Sequence, residues 1–428
     1  MGGLCNPWRK GEGVMERTEN LNIEEIRPLI SPRNLKKELP LPENLAGIII
    51  HARDSIQRIL ARRDSRPLVI VGPCSLHDEE ATLEYAARLR RLQVDLGEKV
   101  LLVMRAYFEK PRTTVGWKGM LYDPWLDESD DIQEGFRRSR RLLLEITRIG
   151  LPAATEFLDP IVPQYLADLV SWASIGARTA ASQIHRQMAS GLSMPIGFKN
   201  STDGNLTIAI EAIKTATRPH VFLGITADGR TGIASTRGNP YGHLVLRGGS
   251  GGPNYQSEYV AFAEVLLRKA GVANRILIDC SHANANKDHR QQHLVFSDVL
   301  GQIHAGNQTI AGMMLESFLF EGNQPVSAPK DPRRERQAGG LGQEAGDSRP
   351  EAEGTEEQAG GWRLETGGTE TEKPKAYSLQ PTPSKEPTAY SLKPKAPKQL
   401  RYGVSITDRC IGWEETEELI RRLPKTLA

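Results

Sequence analysis

The sequence predicts a (β/α)8 TIM barrel of the α/β class. Eight short apolar runs end, one after another, in a charged or metal-competent residue. Most of these runs are separated by a stretch with helical periodicity. Strand followed by helix, repeated eight times, closes into a barrel whose reactive groups collect where the parallel strands end.

Taken in order, residues 1–14 (MGGLCNPWRKGEGV) carry no periodic pattern and read as a flexible tail. Residues 15–60 read as an N-terminal extension packed beside the barrel. It opens on a capping signal, Asn20 and Asn22 ahead of Glu24 and Glu25, and runs through IRPLISP into a helix over 42–60. The barrel occupies 61–326 and 401–428. Its first four strands are 68–72 before Cys74, 101–104 before Arg105, 153–155 before Glu156 and 174–177 before Arg178. The other four are 196–198 before Lys199, 244–246 before Arg247, 276–278 before Asp279 and His282, and 310–315 before Glu316. Intervening helices are expected at 81–92, 164–172, 206–216 and 258–270. After the eighth strand, residues 327–400 are rich in Gly, Pro, Glu, Lys and Gln and almost empty of branched apolar residues, which predicts a long disordered insert. Ala-Tyr-Ser-Leu occurs there twice, at 376–379 and 389–392, and reads either as a small tandem duplication or as a docking motif.

Composition narrows the function classes. A chain of 428 residues with 39% apolar content buries a sizeable core. Its 55 Lys and Arg nearly balance 53 Asp and Glu, so no overall charge points to nucleic acid or a membrane surface, and any basic site must be local. The four cysteines, at 5, 74, 280 and 410, lack paired spacing, which implies a reducing compartment. The longest early apolar run, 45–50, is too short for a spanning helix or a signal-peptide core, and Asn6 breaks the myristoylation pattern. The expected location is cytoplasmic.

Two constellations carry the chemistry. Cys74, His282, Glu316 and Asp408 form a mixed soft and hard donor set suited to a divalent transition metal. Singly, each has a structural alternative, a small core cysteine or a satisfied histidine; three of them, however, end strands one, seven and eight of a closed barrel. The second set is basic: Arg105, Lys110, Arg112, Arg178, Lys199 and Arg247. So many cations at a barrel mouth imply an anionic ligand, most simply phosphates and a carboxylate. Ion pairing with Glu109, Glu156 or Asp203 would account for one or two of them. The KPRTT run at 110–114 adds hydroxyls and backbone donors to its charges.

These residues sit in a recognisable series: GPCSLH (72–77), MRAYFEKPRTTVGWKG (104–119), ATEFLD (154–159), IGAR (175–178), GFKNSTDG (197–204), LRGG (246–249), DCSHAN (279–284), LES (315–317), EGNQ (321–324) and SITDRCIGWEET (405–416). The series closely resembles 3-deoxy-D-arabino-heptulosonate 7-phosphate (DAHP) synthase of the type I alpha class, over about 20–325 and 401–428. The resemblance implies condensation of phosphoenolpyruvate with erythrose 4-phosphate, the first step of the shikimate pathway to the aromatic amino acids. It implies a divalent metal (Mn, Fe, Co or Zn) on Cys74, His282, Glu316 and Asp408. It implies a phosphoenolpyruvate pocket of Arg105, Lys110, Arg178, Lys199 and Arg247, and an erythrose 4-phosphate grip of Arg112 and Thr113. Lys110, Glu156 and His282 are the expected catalytic residues, with Glu156 orienting or deprotonating a water.

The class also implies a homodimer or homotetramer, inhibited by an aromatic amino acid at a site built from the N-terminal extension and an added β-hairpin. The hairpin's counterpart is 220–236, with a turn at Asp228-Gly229. Relatives more often carry a charge and one residue fewer where this chain reads GGSGGPNY, so a secondary substrate contact is expected to be absent. The insert is expected to leave metal binding intact, because loop-closure cost grows slowly with length. Cys74 is expected to pair with Cys410 or Cys280 when metal-free protein is oxidised. Two other readings stand beside this one: a synthase joining phosphoenolpyruvate to arabinose 5-phosphate, and a silent scaffold whose working part is the insert.

Overall fold

Each strand alternates between an outer face that meets the helices and an inner face that fills the barrel lumen, and this alternation builds the site. The computed structural model describes residues 18–112, 116–326 and 400–423. The predicted tail, the insert at 327–399 and Thr113 lie outside the described residues.

Eight parallel strands close into a ring in the order β1-β10-β9-β8-β5-β4-β3-β2. They are β1 (Leu68–Gly72), β2 (Leu101–Arg105), β3 (Ala153–Glu156), β4 (Trp172–Ile175), β5 (Ile196–Lys199), β8 (Gly242–Leu246), β9 (Ile276–Asp279) and β10 (Ile310–Glu316). The remaining strands, β6 (Val221–Ile225) and β7 (Thr231–Ser235), form the antiparallel hairpin outside the ring. Its turn falls where expected, with Gly229 at φ +78°, a conformation that favours glycine.

Val69, Val71, Leu102, Met104, Ile196 and Phe198 point outward into the main core under the helices. Ile70, Val103, Ala154, Trp172, Val245, Leu277 and Met314 point inward and fill the lumen. Continuing that inner parity by two residues gives Gly72, Arg105, Glu156, Ser174, Arg247, Asp279 and Glu316. The lumen is therefore apolar at the bottom and charged at the top. The bottom is closed by α2 (Glu43–Leu60), whose Ile56, Ile59 and Leu60 pack against the lumen residues. Arg275 donates to the carbonyl of Ile59 at 2.9 Å and ties the plug in place.

Three expectations need correcting. The signal at Asn20 and Asn22 caps no helix: residues 18–28 are exposed, Leu21, Ile23 and Ile26 among them, and Pro28 disfavours helix immediately before it. The first helix is α1 (Pro32–Glu38), capped by the Ser31 hydroxyl, which accepts from Asn34 N at 3.3 Å. The helix expected at 164–172 is only Pro163–Leu166 followed by a 3₁₀ turn, Ala167–Leu169. Asp168 is held there by a two-pronged contact with Arg140, at 2.8 Å on each oxygen, and Trp172 is already lumen filling. For the same reason the fourth barrel strand starts two residues earlier than expected and ends at Ile175, where Gly176 begins a turn.

Among the described residues no helix is long and apolar enough to cross a membrane.

Candidate active site

A cavity of about 370 Å³ opens at the carboxyl ends of the strands. Its wall contains Arg105, Lys110, Arg112, Glu156, Arg178, Lys199, Arg247, His282, Glu316 and Asp408. Cys74 is buried against it.

On one side stands a donor cluster. Cys74, Glu316 and Asp408 each offer a ligand atom, all within 4.8 Å of one another. Cys74 follows β1 and Glu316 ends β10, its neighbour in the ring. Asp408 is brought back by short pairings of 322–323 with 405 and 410. The Cys74 thiol donates to Asp408 Oδ2 at 3.2 Å and accepts from Lys110 Nζ at 3.0 Å. Burial, and then Glu316, push the Cys74 thiol well up. Burial alone would raise the Asp408 carboxyl, but Lys110 and His282 outweigh it and hold it well below the carboxylate range. A soft sulfur and two carboxylates fit a divalent transition ion, whose charge would reverse the pressure on the thiol.

His282 stands at the edge of this cluster, with Nε2 3.8 Å from Glu316 Oε1. Its backbone is left-handed, φ +56°, a strained conformation for a residue other than glycine. Its Nδ1 lies 2.9 Å from Oδ2 of the fully buried Asp279. A carboxylate this close to Nδ1 would favour the proton there and leave Nε2 to an ion, the usual arrangement behind a ligating histidine.

Cations line the rest of the mouth. Arg105, 1% exposed, donates to Glu316 Oε1 at 3.0 Å and lies over the Tyr107 ring, while its Nη1 is buried with no partner among the described residues. Lys199 donates to Glu156 Oε2 at 3.0 Å. Burial would raise the Glu156 carboxyl, yet Lys199, with Lys110 and Arg105, outweighs it and holds it down at about 2. Gly176 makes room for that carboxylate, since a Cβ there would lie 2.4 Å from Glu156 Oε1. Arg112 donates to the carbonyl of Trp117 at 2.7 Å. Arg247 makes one long contact, 3.4 Å to the Gly248 carbonyl, and the Arg178 side chain has no partner among the described residues.

Glu109 locks the loop carrying Lys110. Its carboxyl accepts from Leu158 N at 3.2 Å and Asp159 N at 3.0 Å, and burial pushes it up to about 8. Lys287, Asn323 and Arg409 also line the cavity and were not anticipated. They lie on loops, where apolar periodicity marks nothing; the available signal was a charge adjoining a ligand, as in Asp408-Arg409.

A parallel barrel whose mouth joins a mixed-donor cluster to a set of cations defines a class: barrel enzymes with a candidate metal site and a mouth built for anionic ligands. A sequence model of the DAHP synthetase I family matches residues 47–337. The chain belongs to the DAHP synthetase I family. It is 44% identical over 407 residues to the Phe-sensitive phospho-2-dehydro-3-deoxyheptonate aldolase of Escherichia coli K12, covering 95% of this chain and 97% of that one. It is 42% identical over 408 residues to the Tyr-sensitive enzyme of the same organism, covering 95% and 96%. A solved phospho-2-dehydro-3-deoxyheptonate aldolase from Francisella tularensis SCHU S4 superposes with a TM-score of 0.77 at 38% identity, covering 95% of this chain and 98% of that one.

Proposed function

We propose that this enzyme condenses phosphoenolpyruvate with erythrose 4-phosphate to give 3-deoxy-D-arabino-heptulosonate 7-phosphate and inorganic phosphate, the first step of aromatic amino acid biosynthesis. The observation that carries the reading is that the Cys74, Glu316 and Asp408 cluster adjoins one cavity whose wall gathers a set of cations, with Arg112, Arg178 and Arg247 outside any ion pair among the described residues. Cys74, His282, Glu316 and Asp408 would hold a divalent metal, which supplies polarisation of the aldehyde. Arg105, Lys110, Arg178, Lys199 and Arg247 bind phosphoenolpyruvate as a triple anion and align its enol carbon with the aldehyde carbon. Arg112, with Thr113, takes the aldose phosphate. The new C–C bond leaves an alkoxide, to which Lys110 donates. Water then adds to the phosphate-bearing carbon and phosphate departs. Glu156 orients that water; a carboxyl held near 2 is too acidic to be an effective base at neutral pH.

Regulation belongs to the same proposal. Relatives are named for sensitivity to Tyr, Phe or Trp, and we assign this chain an aromatic amino acid inhibitor. A second cavity, of about 490 Å³, is lined by Lys36, Ile49 and Arg53 of the N-terminal extension and by Gln164 and Leu192. The hairpin tip is tied to that extension, with Arg33 Nε 2.6 Å from Asp228 Oδ1. The hairpin leaves Val221, Leu223 and Ile233 exposed, an apolar face suited to a homodimer or homotetramer. A cytoplasmic location accords with Cys74, Cys280 and Cys410 as free thiols.

The test is phosphoenolpyruvate consumption by chelator-treated protein given erythrose 4-phosphate or arabinose 5-phosphate, with and without manganese. Metal-dependent turnover with the four-carbon sugar alone is expected. Absence of turnover in folded, remetallated protein would refute the reading, and preference for the five-carbon sugar would replace it with the related synthase.

A further inference from the structure

The cavity's cations fall into two kinds. Arg105, Lys110 and Lys199 are committed to Glu316, Asp408 and Glu156 respectively. Arg112, Arg178, Arg247, Lys287 and Arg409 line the same cavity and form no close ion pair among the described residues. Their places in the ring sort them further. Arg178 and Arg247 follow β4 and β8, the two neighbours of β5. Arg112 follows β2, and Arg409 sits on the segment that returns after β10; β2 and β10 are the two neighbours of β1. In an eight-membered ring β1 and β5 are diametrically opposed, so two pairs of arginines face each other across the mouth, while Lys287, after β9, lies between them. Two opposed pairs match two phosphate groups.

Resting on the condensation proposed above, we propose that Arg409 is a specificity-determining residue that grips the phosphate of the aldose substrate together with Arg112. Its backbone is fixed on both sides: Ser405 Oγ donates to the Asp408 carbonyl at 2.8 Å, and Gly322 N donates to the Cys410 carbonyl at 2.8 Å. Its guanidinium is left almost free, with one contact from Nε to Asn323 Oδ1 at 3.4 Å. A rigid stem with open planar donors suits two-pronged phosphate binding. Because Arg409 adjoins Asp408, it ties the position of the phosphate to the donor cluster, where a bound metal would polarise the aldehyde. That separation measures the length of the sugar.

The test uses the full-length, metal-loaded protein with Arg409→Ala, Arg409→Gln and Arg409→Lys, and with Lys37→Ala as an exposed-charge control outside the cavity. The Ala and Gln variants should raise KM for erythrose 4-phosphate about tenfold while KM for phosphoenolpyruvate stays within twofold. The Lys variant should fall between them and wild type. Turnover of unphosphorylated erythrose at high concentration should not fall in parallel. An unchanged KM for the aldose phosphate, equal rises for both substrates, or an equal loss with unphosphorylated erythrose would overturn the assignment. An inactive wild type would instead sink the condensation itself, so the two failures are distinguishable.

Discussion

Replacing Lys199 by Met leaves a buried carboxylate without its partner. Lys199 and Glu156 are 5% and 7% exposed and 3.0 Å apart, so little solvent is available to screen the change. Glu156 is held at about 2 against an ordinary 4.5, and a displacement of that size corresponds to about 3 kcal/mol of favourable interaction at neutral pH. Breaking one side of a buried pair costs about 3–5 kcal/mol by an independent route, so the two figures agree. The sign follows from the depressed carboxyl. Its contribution is complete above about pH 4.5 and is lost as pH falls through about 2. In Lys199→Met burial acts unopposed by this lysine and raises the Glu156 carboxyl, so the defect should be large at pH 7 and shrink towards pH 5 as the carboxyl takes up a proton. Urea unfolding of metal-loaded protein at both pH values measures this. The double variant Lys199→Met/Glu156→Gln should recover much of the loss at pH 7, since no uncompensated charge remains. If the double variant is no more stable than the single one, the electrostatic account of the pair is wrong.

Three further outcomes are expected. Glu109→Gln should flatten the pH dependence of stability between about pH 5 and 8: a carboxyl raised to about 8 retains its proton when folded and loses it when unfolded, so wild-type stability falls as pH rises across that range. Equal slopes in the two proteins would count against it. Asp279→Asn should weaken metal binding roughly 10- to 100-fold by disturbing the His282 tautomer, as read by equilibrium dialysis, and wild-type affinity would contradict the role given to Asp279. Mild oxidation of metal-free protein should join Cys74 to Cys410, both in the Glu316 environment, and leave Cys280 free; peptide mapping that finds Cys280 in the bridge would reverse this.

Seven of the eight barrel strands were legible because each apolar run ends at a charged or metal-competent residue, the mark of a strand passing from packed lumen to open mouth. The exception was β4, where Trp172 reads as the end of a helical repeat and only the lumen explains its strand position. The hairpin was legible from its Asp-Gly turn. Donor and cation residues at strand ends could be named because the ring brings those ends together whatever the loops do. Glu109 was taken only as a counter-ion, and its tie to the backbone of 158–159 depends on tertiary contact. Arg409 went unseen because only the ring order sets it on the same side of the mouth as Arg112.

The pairing of 317–324 with 400–411 has an evolutionary consequence. Bridges join Ser317 to Ile411, Gly322 to Cys410 and Asn323 to Ser405, and Gln324 clasps Arg401 through side chain and backbone. The two chain ends flanking residues 327–399 are thereby stapled side by side before the intervening sequence contributes anything. Asp408 takes its position from the staple, so what sets its place at the donor cluster is local pairing and not the length of the sequence between. This makes the junction a natural port for acquired or engineered sequence.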